Sequence, residues 1–297
     1  MRKIALATVL TGLIVMEWSD SASAEERTFE LTYVAELDVP EGASKLQMWI
    51  PYPNSDDYQD VRLVSIDAPV PTKLYQEYTY RNSMLFLSTS AAELESIRVE
   101  TRVRVTRREH VERDFIEIED PEGYLESSAR RWLRPRDESM VERAEELTEA
   151  ESTISGKARS LYDAVVDDWG TDESFLALCR AAGIPARAAT GFRLPRARGE
   201  GDIAGPSRWV SFYVPGYGWV PVDTVAARES PERRDYYFGA HDENRVEFTV
   251  GRDIRLNPQQ AGKPLSPFIY PYAEIDGEPA SDIRAQFHYK DLERVAE

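Results

Sequence analysis

The stretch that decides the fold is Phe175-Leu-Ala-Leu-Cys-Arg-Ala-Ala-Gly-Ile-Pro-Ala-Arg187, followed by Trp209-Val-Ser-Phe-Tyr-Val-Pro-Gly-Tyr-Gly-Trp-Val-Pro-Val-Asp223. The first part predicts a helix that begins at Thr171 or Asp172, whose side chains can cap its first turn, and ends at Gly183. The second part predicts strands at residues 207–214 and 219–223, joined as a hairpin by a tight Pro-Gly-Tyr-Gly turn. Helix followed by hairpin predicts an α+β core.

The chain before this stretch changes from a strand pattern to a helix pattern. From residue 28 to about residue 115, hydrophobic and polar residues alternate between Pro, Asn and Asp breaks, which predicts a small β-sandwich. From residue 137, hydrophobic residues spaced three and four apart predict two helices. We therefore assign residues 25–115 to a β-sandwich domain, residues 116–136 to a connector, and residues 137–297 to the α+β domain with a C-terminal β extension.

The first 24 residues have the pattern of a secretory signal peptide. Arg2 and Lys3 precede an apolar run of residues 4–16, and Ala22-Ser23-Ala24 offers small residues for cleavage. The run is shorter than the roughly 20 residues of a membrane-spanning helix. We therefore expect an exported protein, periplasmic or secreted, with no membrane insertion after cleavage.

The net charge indicates which partners to exclude, and the cysteine count indicates whether an internal disulfide can form. A net charge of −17 opposes binding to nucleic acid, where affinity comes from neutralising phosphates. Cys179 is the only cysteine, so an exported protein of this sequence has no internal disulfide.

Both core segments, with Gly191-Phe192 between them and residues 242–254 after them, resemble bacterial exported transglutaminase-like proteins. The resemblance covers most of the chain. It implies a papain-like fold in which helices pack on an antiparallel sheet, preceded by a small β-sandwich domain. It also implies a catalytic triad, in which a cysteine at a helix start is served by a histidine and an aspartate on the sheet.

The three family positions can be compared with this sequence one at a time. The cysteine position falls on Asp168 or on Gly170, depending on the alignment, and the histidine position falls on Ser207. The glutamate that follows the family's tryptophan is replaced by Ser211, and only Asp223 matches the triad. Because aspartate, glycine and serine supply neither a thiolate nor a base near neutral pH, we expect no catalytic residues here.

Two kinds of relocated chemistry stay open as alternatives. Cys179 could act with His241, although its place inside the predicted helix favours packing. Two carboxylates among Asp168, Asp172 and Asp223 could act as acid and base if they faced each other. The other histidines, which are His110 and His288, have no metal-ligand spacing, and no cofactor fingerprint occurs, so we expect neither metal nor cofactor.

Aromatic residues cluster in sequence around the former catalytic positions. Trp169, Trp209, Tyr213 and Trp219 are therefore candidates for a ligand groove, although alternation also allows Trp209 and Tyr213 to be core. The hypothesis is a non-catalytic envelope protein that binds or scaffolds peptide, protein or cell-wall partners. The alternatives are an active cysteine-type hydrolase or acyltransferase with relocated residues, and a purely structural envelope protein.

Overall fold

The structure is a computed structural model that describes residues 24–113, 138–168 and 170–292. Residues 1–23 of the predicted signal peptide, the predicted connector and Trp169 lie outside the described residues. The strands are β1 (Glu26–Asp38), β2 (Lys45–Tyr52), β3 (Gln59–Asp67), β4 (Lys73–Gln76), β5 (Ser83–Ser90), β6 (Ser96–Arg108), β7 (His110–Val111), β8 (Ala186–Arg193), β9 (Glu200–Asp202), β10 (Ser207–Val214), β11 (Gly218–Val222), β12 (Ala240–His241), β13 (Arg245–Val250), β14 (Tyr272–Ile275), β15 (Glu278–Pro279) and β16 (Arg284–Asp291). The helices are α1 (Glu138–Thr148), α2 (Ile154–Asp167), α3 (Asp172–Ala181) and α4 (Thr224–Glu229).

The N-terminal half forms two five-stranded sheets that pack face to face. Their strand orders are β3-β6-β1-β16-β9 and β15-β14-β2-β5-β4. In β1 the buried residues Phe29, Leu31 and Tyr33 alternate with half-exposed ones, as the sequence pattern predicts. The inward-facing residues of both sheets join one hydrophobic core, so this half is a β-sandwich.

The C-terminal β extension that the sequence predicts within residues 137–297 pairs with the N-terminal sheets. Strand β14 pairs with β2, and β16 pairs with β1, so both complete the N-terminal sandwich. Phe287 of β16 points inward and lies against Tyr33, with ring centroids 4.2 Å apart. The alternating pattern identifies a strand but not the strand with which it pairs. Strand β1 pairs with a strand about 250 residues later in the chain.

The α+β half has helices packed on an antiparallel sheet of order β11-β10-β8-β13. The predicted third helix is confirmed as α3: Thr171 accepts a hydrogen bond from the Ser174 amide at 3.3 Å, and Gly183 follows the helix with a φ of +79°. Phe175 and Cys179 of this helix share a buried cluster with Phe212 of β10. None of the helices within the described residues is long and apolar enough to cross a bilayer.

The two halves share hydrophobic core at their junction. Strand β13 belongs to the α+β sheet, yet its Val246 and Phe248 pack into the core of the sandwich. Phe192 at the end of β8 joins them, with its ring centroid 5.3 Å from that of Phe248. Side chains packed in this way hold the α+β sheet in one orientation against the sandwich.

Candidate functional site

Asp223 lies at the centre of the candidate site, at the point where β11 ends and α4 begins. Its side chain is fully buried and accepts a hydrogen bond at 2.9 Å from the amide of Ala226, which caps α4. This carboxylate therefore has a structural role as the N-cap of α4.

Two arginines from neighbouring strands also bind this carboxylate. Arg245 at the start of β13 donates to Asp223 Oδ2 at 3.1 Å, and Arg193 at the end of β8 donates to the same oxygen. Arg245 is completely buried and also donates to Asp242 Oδ1 at 3.0 Å. Burial opposes its charge, but Asp242 and Asp223 outweigh burial and raise the pKa of Arg245 above its ordinary value. Asp223 is thus the centre of an ion-pair network in which Nε of Arg193 is the one buried donor left without an acceptor among the described residues.

A second buried carboxylate lies beside this network, at the start of α3. Asp172 accepts hydrogen bonds from the amide and the hydroxyl of Thr224, at 2.9 and 2.7 Å. Burial, and then the nearby charge of Asp223, raise the pKa of Asp172 to about 7. These bonds tie the first turn of α3 to the first turn of α4.

An open cleft runs along α3, and we call it the α3 cleft. It has a volume of about 420 Å³ and lies between α3, the sheet and loops of the sandwich half. Its lining residues are Tyr80, Glu173, Leu176, Arg180, Ala188, Arg208, Gly251, Arg252, Asp253 and Ser266. At its end an ion pair between Glu173 and Arg208 joins the start of α3 to the start of β10.

This arrangement of a capped helix against an antiparallel hairpin sheet can be compared with known proteins. Residues 167–224 match the model of the transglutaminase-like superfamily. An uncharacterised protein of Haemophilus influenzae is 25% identical over 325 residues, which span 86% of this chain and 88% of that protein. The crystal structure of a candidate cysteine protease from Cytophaga hutchinsonii is similar with a TM-score of 0.56 and 15% identity, over 93% of this chain and 94% of that chain. The chain therefore has a transglutaminase-like, papain-like fold.

Neither alignment of the transglutaminase-like cysteine position leads to a nucleophile. Asp168 is exposed at the end of α2 and lies 3.5 Å from Arg143 of α1. Gly170 lies in the turn before α3, where a Cβ atom would be 3.0 Å from Val165 Cγ1 and 3.4 Å from Ser174 Cβ. The backbone oxygen of Gly170 accepts a hydrogen bond from Arg228. The turn is therefore closely packed around a residue without a side chain.

The transglutaminase-like histidine position also lacks a residue that could act as a general base. Ser207 is half-buried at the start of β10 and pairs with Gly191 of β8, and Ser211 is half-buried further along the strand. In the family the aspartate orients an imidazole, but here two guanidinium groups and an amide bind Asp223. The one matching triad residue thus has a structural set of partners.

The alternative that pairs Cys179 with His241 conflicts with the geometry. Cys179 is completely buried in the cluster that contains Val210, on the helix face of the sheet, and burial raises the pKa of its thiol far above the ordinary value. His241 lies on the opposite face, where its ring is 6.0 Å from that of Trp209. Its Nε2 is 3.1 Å from the oxygen of Val222, and burial lowers the pKa of His241. The sheet thus separates thiol and imidazole.

The alternative that uses two carboxylates also finds its candidates occupied. Asp172 and Asp223 are close enough to influence each other, but Thr224 binds the first and Arg193 and Arg245 bind the second. Asp168 is exposed and contacts Arg143 instead of either of these two carboxylates.

The predicted aromatic groove is wrong for two of its four residues. Trp209 is 1% exposed, lies 4.9 Å from the guanidinium of Arg245 and donates to Glu247 at 3.2 Å, and Tyr213 is 5% exposed. Both face the sandwich half because alternation along β10 turns them away from the helices. Trp219 is partly exposed and packs on Tyr213 at 5.2 Å, whereas Trp169 lies outside the described residues.

The remaining histidines do not form a metal site. His110 stacks on Tyr58 at 3.6 Å, and His288 lies 2.9 Å from Asp202 on the surface. Within residues 24–113, 138–168 and 170–292, no three His, Cys, Asp or Glu side chains converge as metal ligands.

Sequence reasoning missed Arg193 and Arg245, the two residues that decide what Asp223 does. The sequence held one signal that could have identified Arg245: it belongs to the segment 242–254, which carries part of the family resemblance. Its register opposite Arg193 in the sheet cannot be obtained from local patterns.

Proposed function

We propose that this protein is a non-catalytic, transglutaminase-like module of the cell envelope that binds an extended acidic peptide segment in the α3 cleft. The carrying observation is the state of the triad aspartate: Asp223 is bound by Arg193, Arg245 and the Ala226 amide in the place where a working site would hold an imidazole.

The charge of the α3 cleft supports an acidic ligand. Three arginines, which are Arg180, Arg208 and Arg252, line the cleft with two acidic residues, Glu173 and Asp253. The chain as a whole carries a net charge of −17, so a cleft with more arginines than acidic groups stands out against its surroundings. Such a cleft attracts an anionic group at short range, within a Debye length of roughly 8 Å, while the rest of the chain repels it.

The shape of the α3 cleft supports a peptide. Leu176 and Ala188, which are 4% and 9% exposed, form an apolar floor between the charged groups of the cleft, and such a floor suits side chains of an extended segment. The buried state of Trp209 favours the purely structural alternative, because it removes the aromatic groove. The open α3 cleft favours binding, and the predicted export supplies the envelope location in this proposal.

A charge reversal in the α3 cleft tests the proposal. Fluorescein-labelled ten-residue peptides of defined net charge are titrated with the purified chain from residue 25, and binding is read by fluorescence polarisation. Arg252→Glu should weaken binding of acidic peptides by about tenfold or more, since Arg252 is half-exposed and lines the cleft. Arg62→Glu, on the exposed face of β3, is the matched control and should bind normally. Absence of binding by every acidic peptide, or equal loss in both variants, would overturn the proposal.

A further inference from the structure

A row of inward-facing polar residues lies at the end of the sandwich that meets the α+β sheet. Strand register places Arg27 of β1 and Gln59 of β3 on either side of Arg107 of β6. Arg27 is fully engaged: it donates to Asp291 at 2.7 and 2.8 Å, to the Pro195 oxygen at 2.6 Å and to Asn244. Arg27, at one end of the row, therefore has partners in the α+β half as well as in its own sheet.

Gln59 is engaged in the same manner. Its amide group forms two hydrogen bonds with the backbone of Glu247, at 3.0 and 2.8 Å. These bonds place Glu247 directly against the end of the row. Arg107, between Arg27 and Gln59, faces the same junction.

Arg107 differs from its two neighbours because one of its donors has no partner. Its side chain is 2% exposed, and its Nε is buried without an acceptor. A guanidinium left in this state is costly, since buried charges in proteins are ordinarily paired and hydrogen-bonded. Burial accordingly lowers the pKa of Arg107.

A second guanidinium borders the same place from the α+β sheet. Arg187 of β8 is half-buried and lies 4.3 Å from the ring of Trp219. The carboxylates that act most strongly on Arg107 and on Arg187 are the same two, Glu247 and Asp56. Glu247 in turn is influenced by both arginines, and hydrogen bonds from Gln59 and Trp209 hold it at the junction where Arg107 lies.

We propose that Arg107 and Arg187, with Glu247 and Trp209 beside them, bind the carboxylate of a small monoanionic ligand at the junction of the two halves. We call these four residues the interdomain cluster. The site is distinct from the α3 cleft, because Trp209 and Arg187 lie on the face of the sheet opposite α3. The proposal therefore stands independently of peptide binding there.

The charges of the interdomain cluster select a monoanion. The cluster contains two guanidinium groups and the half-buried carboxylate of Glu247, whereas Asp56 is exposed to solvent. One further negative charge balances the cluster, and Glu247 would repel a dianion more strongly than a monoanion. The planar fork of a guanidinium fits a carboxylate with two parallel hydrogen bonds, which would also satisfy Nε of Arg107. Water could fill the same space but would leave the charges unbalanced.

The test uses the purified chain from residue 25. It measures thermal unfolding and, by NMR, the side-chain resonances of the arginines. Sodium acetate, sodium phosphate and sodium chloride are compared at equal ionic strength. Acetate should raise the Tm by about 2 °C or more over chloride, and should shift an Nε–Hε resonance that is absent from Arg107→Met. Phosphate should have a smaller effect, and a larger effect of phosphate would overturn the assignment of a monoanion.

Variants separate a ligand site from a structural arginine. Arg107→Met should unfold at a higher temperature than the wild type in chloride, since it removes an unpaired buried charge, and should not respond to acetate. Arg107→Lys keeps the positive charge but lacks the planar guanidinium that can form two parallel hydrogen bonds. It should therefore bind acetate about tenfold more weakly. Arg104→Met, on the exposed face of the same strand, is the control and should respond as the wild type. An unchanged spectrum in acetate, or loss of stability in Arg107→Met, would overturn the proposal.

Discussion

Replacing Asp223 by asparagine should destabilise the protein strongly, although asparagine has nearly the same size. Arg245 is completely buried and would keep only Asp242, while Arg193 would lose its main partner. Breaking a buried ion pair by removing one partner costs about 3–5 kcal/mol. Because Asp242 remains and Arg193 is 22% exposed, we expect a loss near the lower end, about 3 kcal/mol. Asparagine still caps α4, so this loss measures the charge alone.

The measurement is urea unfolding followed by tryptophan fluorescence and far-ultraviolet circular dichroism. Asp223→Ala should lose about 1 kcal/mol more than Asp223→Asn, because it also removes the cap to the Ala226 amide. Asp168→Asn is the control at another family position, where the side chain is 70% exposed, and should stay within about 0.5 kcal/mol of the wild type. If Asp223→Asn is as stable as Asp168→Asn, the ion-pair network does not hold this site together.

Three further predictions test individual features. Cys179 should react with a thiol reagent only in denaturant, because the native side chain is completely buried, and rapid native labelling would contradict this packing. The folded-state pKa of Asp172 is raised to about 7, so the contribution of this one group to stability falls as pH rises from the unfolded pKa of about 4 towards 7. Asp172→Asn should therefore gain about 1–3 kcal/mol relative to the wild type between pH 4 and pH 8 in urea titrations, whereas a constant difference would refute the shift. Gly191→Ala should cost about 2 kcal/mol or more in the same assay, because a Cβ would overlap the Val246 oxygen and come within 2.9 Å of Trp209, whereas Gly201→Ala should be nearly neutral.

Local chemistry made the α+β core predictable. The capping residue Thr171, the terminating Gly183 and the Pro-Gly-Tyr-Gly turn each act within a few residues, and the structure has the helix and the hairpin that they predict. Strand β10 occupies residues 207–214, as alternation predicted. These features needed no information about distant parts of the chain.

Features that depend on distant residues were not predictable in the same way. The return of β14 and β16 to the sandwich joins segments more than 200 residues apart. The partners of Asp223 come from two other strands, and their identity depends on the register of β8 against β13. Trp209 is a groove candidate in the sequence because it clusters with other aromatic residues around the former catalytic positions, and local patterns do not show that its strand face meets the sandwich half.

Both catalytic alternatives depend on groups that the fold separates or occupies. Cys179 and His241 lie on opposite faces of the sheet, and Asp172 and Asp223 have hydrogen-bond donors of their own. In this geometry all four groups are occupied by structural contacts.

The most direct test is an activity assay of the purified chain from residue 25 against a mixed peptide library, with hydrolysis and amine cross-linking read by mass spectrometry. We expect no product above the protein-free blank, and the same result for Cys179→Ala and His241→Ala. Product formation that disappears in either variant would contradict the account, because it would require a thiol and an imidazole to act together.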